Sequence, residues 1–412
     1  MADIRPFRAL RPRPHLAAQV AAPPYDVISS AEARAMAEGK PYSFLHINKP
    51  EIDLPPTVDP YDDRVYAQGA ANLRRFLAEG VFTREASPRF YVYQQRMGNH
   101  VQAGLVCAAS VAEYDQGLIK RHELTRKDKE DDRTRHIQEL NANDEPVFLT
   151  YRRRQEIDAL VDEARSGTPL YDFASEDSIV HTLWLVPEHL TAPLQEAFRA
   201  VPALYVADGH HRTAAAARVG RERGQANPHH KGDEPYSYFM AVLFPHNQLQ
   251  ILDYNRVVKD LAGLSPEEFL QRVQVAFHLQ EASNPKPEQP HQFGMFLQGR
   301  WYRLEARPGT YPEGDPVRSL DVSILQENLL GPILGIGDPR TDKRIDFIGG
   351  IRGLAALEER VHQGWAVAFA LFPTSLEQVM AVADAGLIMP PKSTWFEPKL
   401  RSGLFLRTLD TW

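Results

Sequence analysis

The run Ala203-Leu204-Tyr205-Val206-Ala207 leads into Asp208-Gly209, and the chain then passes through His210-His211-Arg212-Thr213 into four consecutive alanines, Ala214 to Ala217. A short apolar run closed by Asp-Gly reads as a buried strand with a turn at its end. The alanines predict a helix that can pack closely, because they are strong helix formers with almost no side chain. Strand, glycine turn and helix in that order point to an α/β layer architecture.

A helix entered through glycine presents its first unpaired amides and the positive end of its dipole, which suits an anion. Arg212 stands in that first turn against the dipole, at a cost of a few tenths to about 1 kcal/mol that a bound oxyanion would reverse. On this reading Gly209, His210, His211 and Arg212 surround a phosphate. Asp208 caps the helix or helps place a metal, and Thr213 donates to a phosphate oxygen. Two plainer readings remain: a solvated surface turn, or a metal pair at His210 and His211. The pair is disfavoured because adjacent helical residues point about 100° apart, so no protein-held metal is expected.

The chain has 412 residues, 43% hydrophobic and 25% charged, enough for about two or three domains of roughly 150 residues. With 47 basic and 54 acidic residues the net charge is -7, so no global positive field draws in nucleic acid or an anionic membrane. Cys107 is the sole cysteine, which excludes an internal disulfide and suggests a reducing compartment, the cytoplasm. Residues Met1 to Arg13 are too polar and proline-broken for a signal peptide, and no run of about 18 apolar residues exists.

Thirty-two prolines and 25 glycines are spread along the chain and punctuate many short elements. Ser29-x-x-Glu32 has capping-box spacing. Strands are expected at Tyr42 to Ile47, Phe90 to Gln94, Gln102 to Tyr114, Val147 to Arg152, Thr182 to Val186 and Ala203 to Ala207, and helices at Tyr61 to Glu79 and Glu188 to Ala200. Arg121 to Glu139 is charged at almost every position, so it reads as a solvated helix or the wall of a polar site rather than a core helix. Ser265-Pro266-Glu267-Glu268 should start a helix, and Phe293 to Leu297 with Trp301 to Leu304 should form a hairpin across Gln298-Gly299. A helix through Leu357 to Val361 should stop at Gly364, before a strand at Ala366 to Phe372 and a helix capped by Thr374-x-x-Glu377. The prolines of Met389 to Lys399 suggest a fixed loop. Three segments are expected: 1–115, 116–262 and 263–412.

Two further polar groups stand out. His122-Glu123-x-Thr125 with Asp132-Arg133 supplies a base, a carboxylate and a hydroxyl; Glu123, with His122 second, suits a general base, though a charged helix face explains the same residues. Lys392, Ser393, Thr394, Glu397, Lys399 and Arg401 crowd the proline-bounded loop and could bind a carboxylate or phosphate, or could be rim charges around Trp395 and Phe396. Asn255-Arg256 and Tyr25-Asp26 are secondary binding candidates.

Asp208-Gly209-His210-His211-Arg212 followed by Ala215 resembles the DGHHR loop of the ParB/sulfiredoxin-like fold as found in free-serine kinases, which hold nucleotide phosphates with it. Nearly the whole chain also resembles the family of domain of unknown function 1015, on Arg121-His122-Glu123-Leu124-Thr125, Asp132-Arg133, Asn255-Arg256-Val257-Val258 and Met389 through Gly403. These resemblances imply an α/β (α+β) fold: a ParB/sulfiredoxin-like nucleotide-binding core with a mixed sheet, plus N- and C-terminal α/β segments. They imply an ATP-dependent kinase of a small hydroxyl compound such as free serine, using ATP or another nucleoside phosphate with Mg²⁺. Glu123 precedes the loop as the kinases' glutamate base does, and Asp208 and Arg212 join it as catalytic candidates. Alternatives are a non-catalytic ParB-like nucleotide switch or DNA-associated module, and a metal-dependent hydrolase. The acidic charge and the lack of a recognition helix weigh against DNA.

Overall fold

In a computed structural model that describes residues 2–412, the apolar run before Asp208 is the strand Leu204–Asp208 and the alanines lie in the helix His210–Ala226. Gly209 joins them at φ +91°, a left-handed conformation that glycine adopts without strain. The helix buries Ala214 to Ala217, Val219 and Gly220. A Cβ on Gly220 would sit 2.7 Å from the Tyr236 carbonyl oxygen, so the small residues set how near the backbones come.

The chain is a mixed α/β protein of two compact units, Met1–Leu249 with Pro398–Trp412, and Gln250–Glu397. In the first unit nine strands form one sheet: β1 (Ile4–Arg5), β2 (Tyr91–Met97), β3 (His100–Ser110), β4 (Ile119–Lys120), β5 (Val147–Tyr151), β6 (Tyr171–Ala174), β7 (Val180–Leu185), β8 (Leu204–Asp208) and β9 (Tyr238–Pro245). Their order is β4-β8-β5-β9-β3-β2-β7-β6, with β1 also on β3. The pairs β4–β8 and β5–β9 are parallel and the others antiparallel. Strands on both sides of residue 115 thus share one sheet. Its core includes Val92, Leu105, Leu149, Val206, Ala215, Phe239 and Leu243.

The second unit holds a six-stranded antiparallel sheet in the order Phe277–Glu281, Arg300–Ala306, Gln292–Leu297, Val367–Leu371, Tyr254–Val258, Ile345–Gly349. The hairpin at Gln298-Gly299 forms, with φ +49° and +75° at the two turn residues, as a two-residue hairpin of this hand requires. The capping boxes of Ser29 with Glu32 and Ser265 with Glu268 are both complete.

Four local expectations are corrected. Tyr42 to Ile47 is no strand: Leu45–Asn48 is a single helical turn that buries Leu45 and Ile47, and short apolar runs do not tell the two apart. The cap expected at Thr374 is Ser375, bonded reciprocally with Gln378. Trp395–Glu397, inside the proline-bounded loop, pairs as a strand with Gln250–Leu252. The charged segment forms the helix Lys127–Leu140, but its buried residues include Asp132, Arg133 and His136. Ion pairs inside the protein, Asp132 with Arg133 and His136 with Asp144, make that possible; of the two readings its charge allowed, the segment fits the wall of a polar site on this face.

Candidate active site

Pairing between β8 and β5 slips at the end of β8: Val206 faces Leu149 and Asp208 faces Phe148, so Ala207 is an extra residue. A bulge of this kind re-aims the side chain beside it. The Asp208 carboxylate here meets Arg212 Nη2 at 3.5 Å and Lys399 Nζ at 3.4 Å. Burial opposes its ionisation, but Lys399 and Arg212 outweigh that and hold the carboxyl down to about 2. Asp208 does not cap the helix; Gly209 is the N-cap, supplies no side chain and leaves the helix start without a side-chain cap.

Arg212 differs from the expectation that it awaits an oxyanion. It is buried, lies 3.6 Å from Asp26, and donates to the Pro146 carbonyl at 2.7 Å. Burial works against its charge, yet Asp26, Asp208 and Glu145 raise its pKa. The helix dipole is therefore countered by permanent carboxylates, and Arg212 positions Asp208 and Asp26. Thr213 is also turned inward: it is fully buried and its hydroxyl donates to the Gly209 carbonyl at 2.9 Å. His211 accepts from the Arg126 amide at 3.1 Å, fixing the start of the helix Lys127–Leu140.

The weaker candidates Tyr25 and Asp26 prove central to this network. Glu145 accepts from the Tyr25 amide at 3.0 Å, Asn48 Nδ2 at 2.8 Å and Ser402 Oγ at 2.7 Å, and burial raises its pKa. Arg133 stacks 4.0 Å over the Tyr25 ring and pairs with Asp132 at 2.8 Å. Asp144 pairs with His136 at 2.9 Å. Asn48, Asp144, Glu145 and Ser402 were not singled out from the sequence; each is an ordinary polar residue there, and only the fold joins residues 26, 145, 212 and 402.

Beside the turn, His210 Nδ1 lies 3.9 Å from Glu123 Oε2, and the His122 and His210 rings meet edge to face with centroids 4.4 Å apart. Burial drives the His122 pKa down to about 4, and burial and then His122 push His210 well below the usual histidine value. Both are neutral near pH 7. The Glu123 side chain keeps 46% exposure.

Lys399 thus joins Asp208, while Arg401 goes elsewhere. Arg401 pairs with Asp177, donates to Ser175 at 3.2 Å, and lines a cavity of about 430 Å³ with Lys40, Ser43 and Glu176. In the second unit Asn255 accepts from the Leu371 amide at 2.9 Å and donates to Asp253 at 2.5 Å. Arg256 donates to the carbonyls of Tyr254 and Pro391, and its burial lowers its pKa to about 10. Lys392, at φ +58°, holds its ammonium 5.6 Å over the Tyr254 ring. Ser393 donates to Pro390 and accepts from Thr374; Thr394 follows in the same loop, half-buried. The polar atoms of Asn255, Arg256 and Ser393 hold that unit together.

Fold and site define a mixed α/β protein with a glycine-entered strand-to-helix turn flanked by a lysine, a glutamate and two buried histidines. The model of the family described as protein of unknown function (DUF1015) matches residues 4–323, and the chain belongs to that family. No curated protein matches. Similar solved structures include a free serine kinase in complex with AMP, at 12% identity and a TM-score of 0.36, covering 73% of this chain and 92% of that one. A conserved hypothetical protein from Pyrococcus furiosus matches at 11% identity and a TM-score of 0.36, covering 75% and 97%. SbnI with a C-terminal truncation, from Staphylococcus aureus, matches at 12% and 0.39, covering 73% and 87%. No helix among the described residues is long and apolar enough to cross a membrane.

Proposed function

We propose that this protein is a phosphotransferase that moves a phosphoryl group from ATP or another nucleoside phosphate to a small hydroxyl compound. Free serine is the acceptor suggested by the resemblance of residues 208–212 to the loop of free-serine kinases. The carrying observation is the convergence, at one helix start, of amides without a side-chain cap, the Lys399 ammonium beside Asp208, and the half-exposed Glu123 carboxylate beside His210.

In this reading the Gly209 to His211 amides and Lys399 take the phosphate oxygens. Glu123 accepts the proton of the acceptor hydroxyl as its oxygen bonds to phosphorus; the bond from phosphorus to the nucleotide's bridging oxygen breaks, and the shortened nucleotide leaves. Arg212 acts through Asp208 and Asp26, which it holds in place. Those two carboxylates are oxygen donors of the kind Mg²⁺ takes, and a bound ion would supply neutralisation of phosphate charge. Incubation of the pure protein with ATP, Mg²⁺ and serine should yield ADP and phosphoserine in equal amounts by mass spectrometry; neither product appearing rejects serine as acceptor.

A further inference from the structure

We propose that His122, Glu123 and His210 form a three-ligand site for a divalent transition-metal cation of the zinc class. One ligand atom from each lies within 4.8 Å of the other two. The set combines two imidazoles with one carboxylate, a donor set found in zinc sites that keep a coordination position open. Imidazole selects zinc, iron or nickel over Mg²⁺, which prefers oxygen, so this is a different ion from one accompanying a nucleotide.

A second observation is independent of the spacing. His122 is 2% exposed and His210 is 6% exposed. Among the described residues, neither nitrogen of His122 nor Nε2 of His210 makes a hydrogen bond of good geometry; the Val206 backbone raises the His122 pKa but is outweighed by burial. Buried polar atoms are nearly always paired, and leaving them unpaired is costly. A coordinated cation takes one nitrogen of each ring and so removes part of that cost. An ion about 2.0–2.2 Å from each ligand needs the donors somewhat closer together, and Glu123, the exposed member, can swing to close that gap. One carboxylate oxygen on the ion leaves the other for the proton chemistry proposed above.

The inference goes beyond the phosphotransferase reading, since zinc can bind whether or not phosphoryl transfer occurs. Protein stripped with chelator and titrated with Zn²⁺ alone should take up one equivalent, with a higher melting temperature. Co²⁺ in its place should give visible absorption bands of a four- or five-coordinate ion. Glu123→Gln, which alters an exposed side chain, should weaken Zn²⁺ binding at least about tenfold, and His122→Ala should abolish it. His230→Ala, at an exposed histidine, should leave it unchanged. The proposal is overturned if wild type takes up no stoichiometric Zn²⁺, if Glu123→Gln binds as wild type does, or if His230→Ala removes the binding.

Discussion

Lys399 places its ammonium 3.4 Å from the Asp208 carboxylate across 191 residues of sequence. The same carboxylate is held on its other side by Arg212. The ammonium is therefore fixed beside the helix start, while Arg212 is sequestered by acids.

Removing the lysine should separate binding from folding. Lys399→Ala leaves Arg212 to neutralise Asp208, so the melting temperature should change little. Loss of one charge-assisted phosphate contact should weaken ATP affinity about tenfold or more, read by calorimetry. Unchanged affinity would remove Lys399 from the site.

Arg212→Ala should behave in the opposite way. It strips a buried cation from Asp26, Asp208 and Glu145, a change typically worth about 3–5 kcal/mol. Urea titration of the variant should show that loss whether or not nucleotide is present. Near-wild-type stability combined with lost nucleotide binding would restore the reading of Arg212 as a phosphate ligand.

Gly209→Ala probes the turn. Its φ of +91° costs an L-residue about 1–2 kcal/mol, and the added Cβ would meet Arg212 at 3.1 Å. A modest stability loss with a larger loss of ATP affinity is expected. Affinity equal to wild type would mean that the amides after Gly209 hold nothing.

Acid should destabilise the fold in two steps. His122 has a folded pKa of about 4, below the roughly 6.5 of an unfolded histidine, and His210 is shifted the same way. Above pH 6.5 neither state carries the proton. As pH falls towards 4 the unfolded chain binds protons that the folded one refuses, and stability is lost. Asp208, depressed to about 2, adds stability above its unfolded value near 3.8 that is lost as pH falls through 2. The urea midpoint should decline between pH 6.5 and 4, and less steeply in His122→Leu. A flat midpoint across that range contradicts the buried neutral pair.

The strand, glycine and alanine helix around Asp208 were legible because they are local: apolar run, Asp-Gly and helix formers are contiguous. The capping boxes at Ser29 and Ser265 and the hairpin at Gln298-Gly299 were legible for the same reason. Arg212 was misjudged because its partners Asp26 and Glu145 lie far away in sequence, and a dipole argument sees only its own helix. The joining of His122 and Glu123 to His210 has no local signature either, since the sheet alone brings residues 122 and 210 together. Tyr42 to Ile47 misled because its apolar pattern fits one helical turn as well as a strand.

Hydrogen–deuterium exchange tests the central claim, phosphate held by the strand-to-helix turn, most directly. Saturating ATP with Mg²⁺ should slow exchange in peptides spanning residues 204–216, with the largest effect at the amides of 209–212. ATP binding that protects other segments and leaves those amides exchanging at the rate of the ligand-free protein would contradict the account.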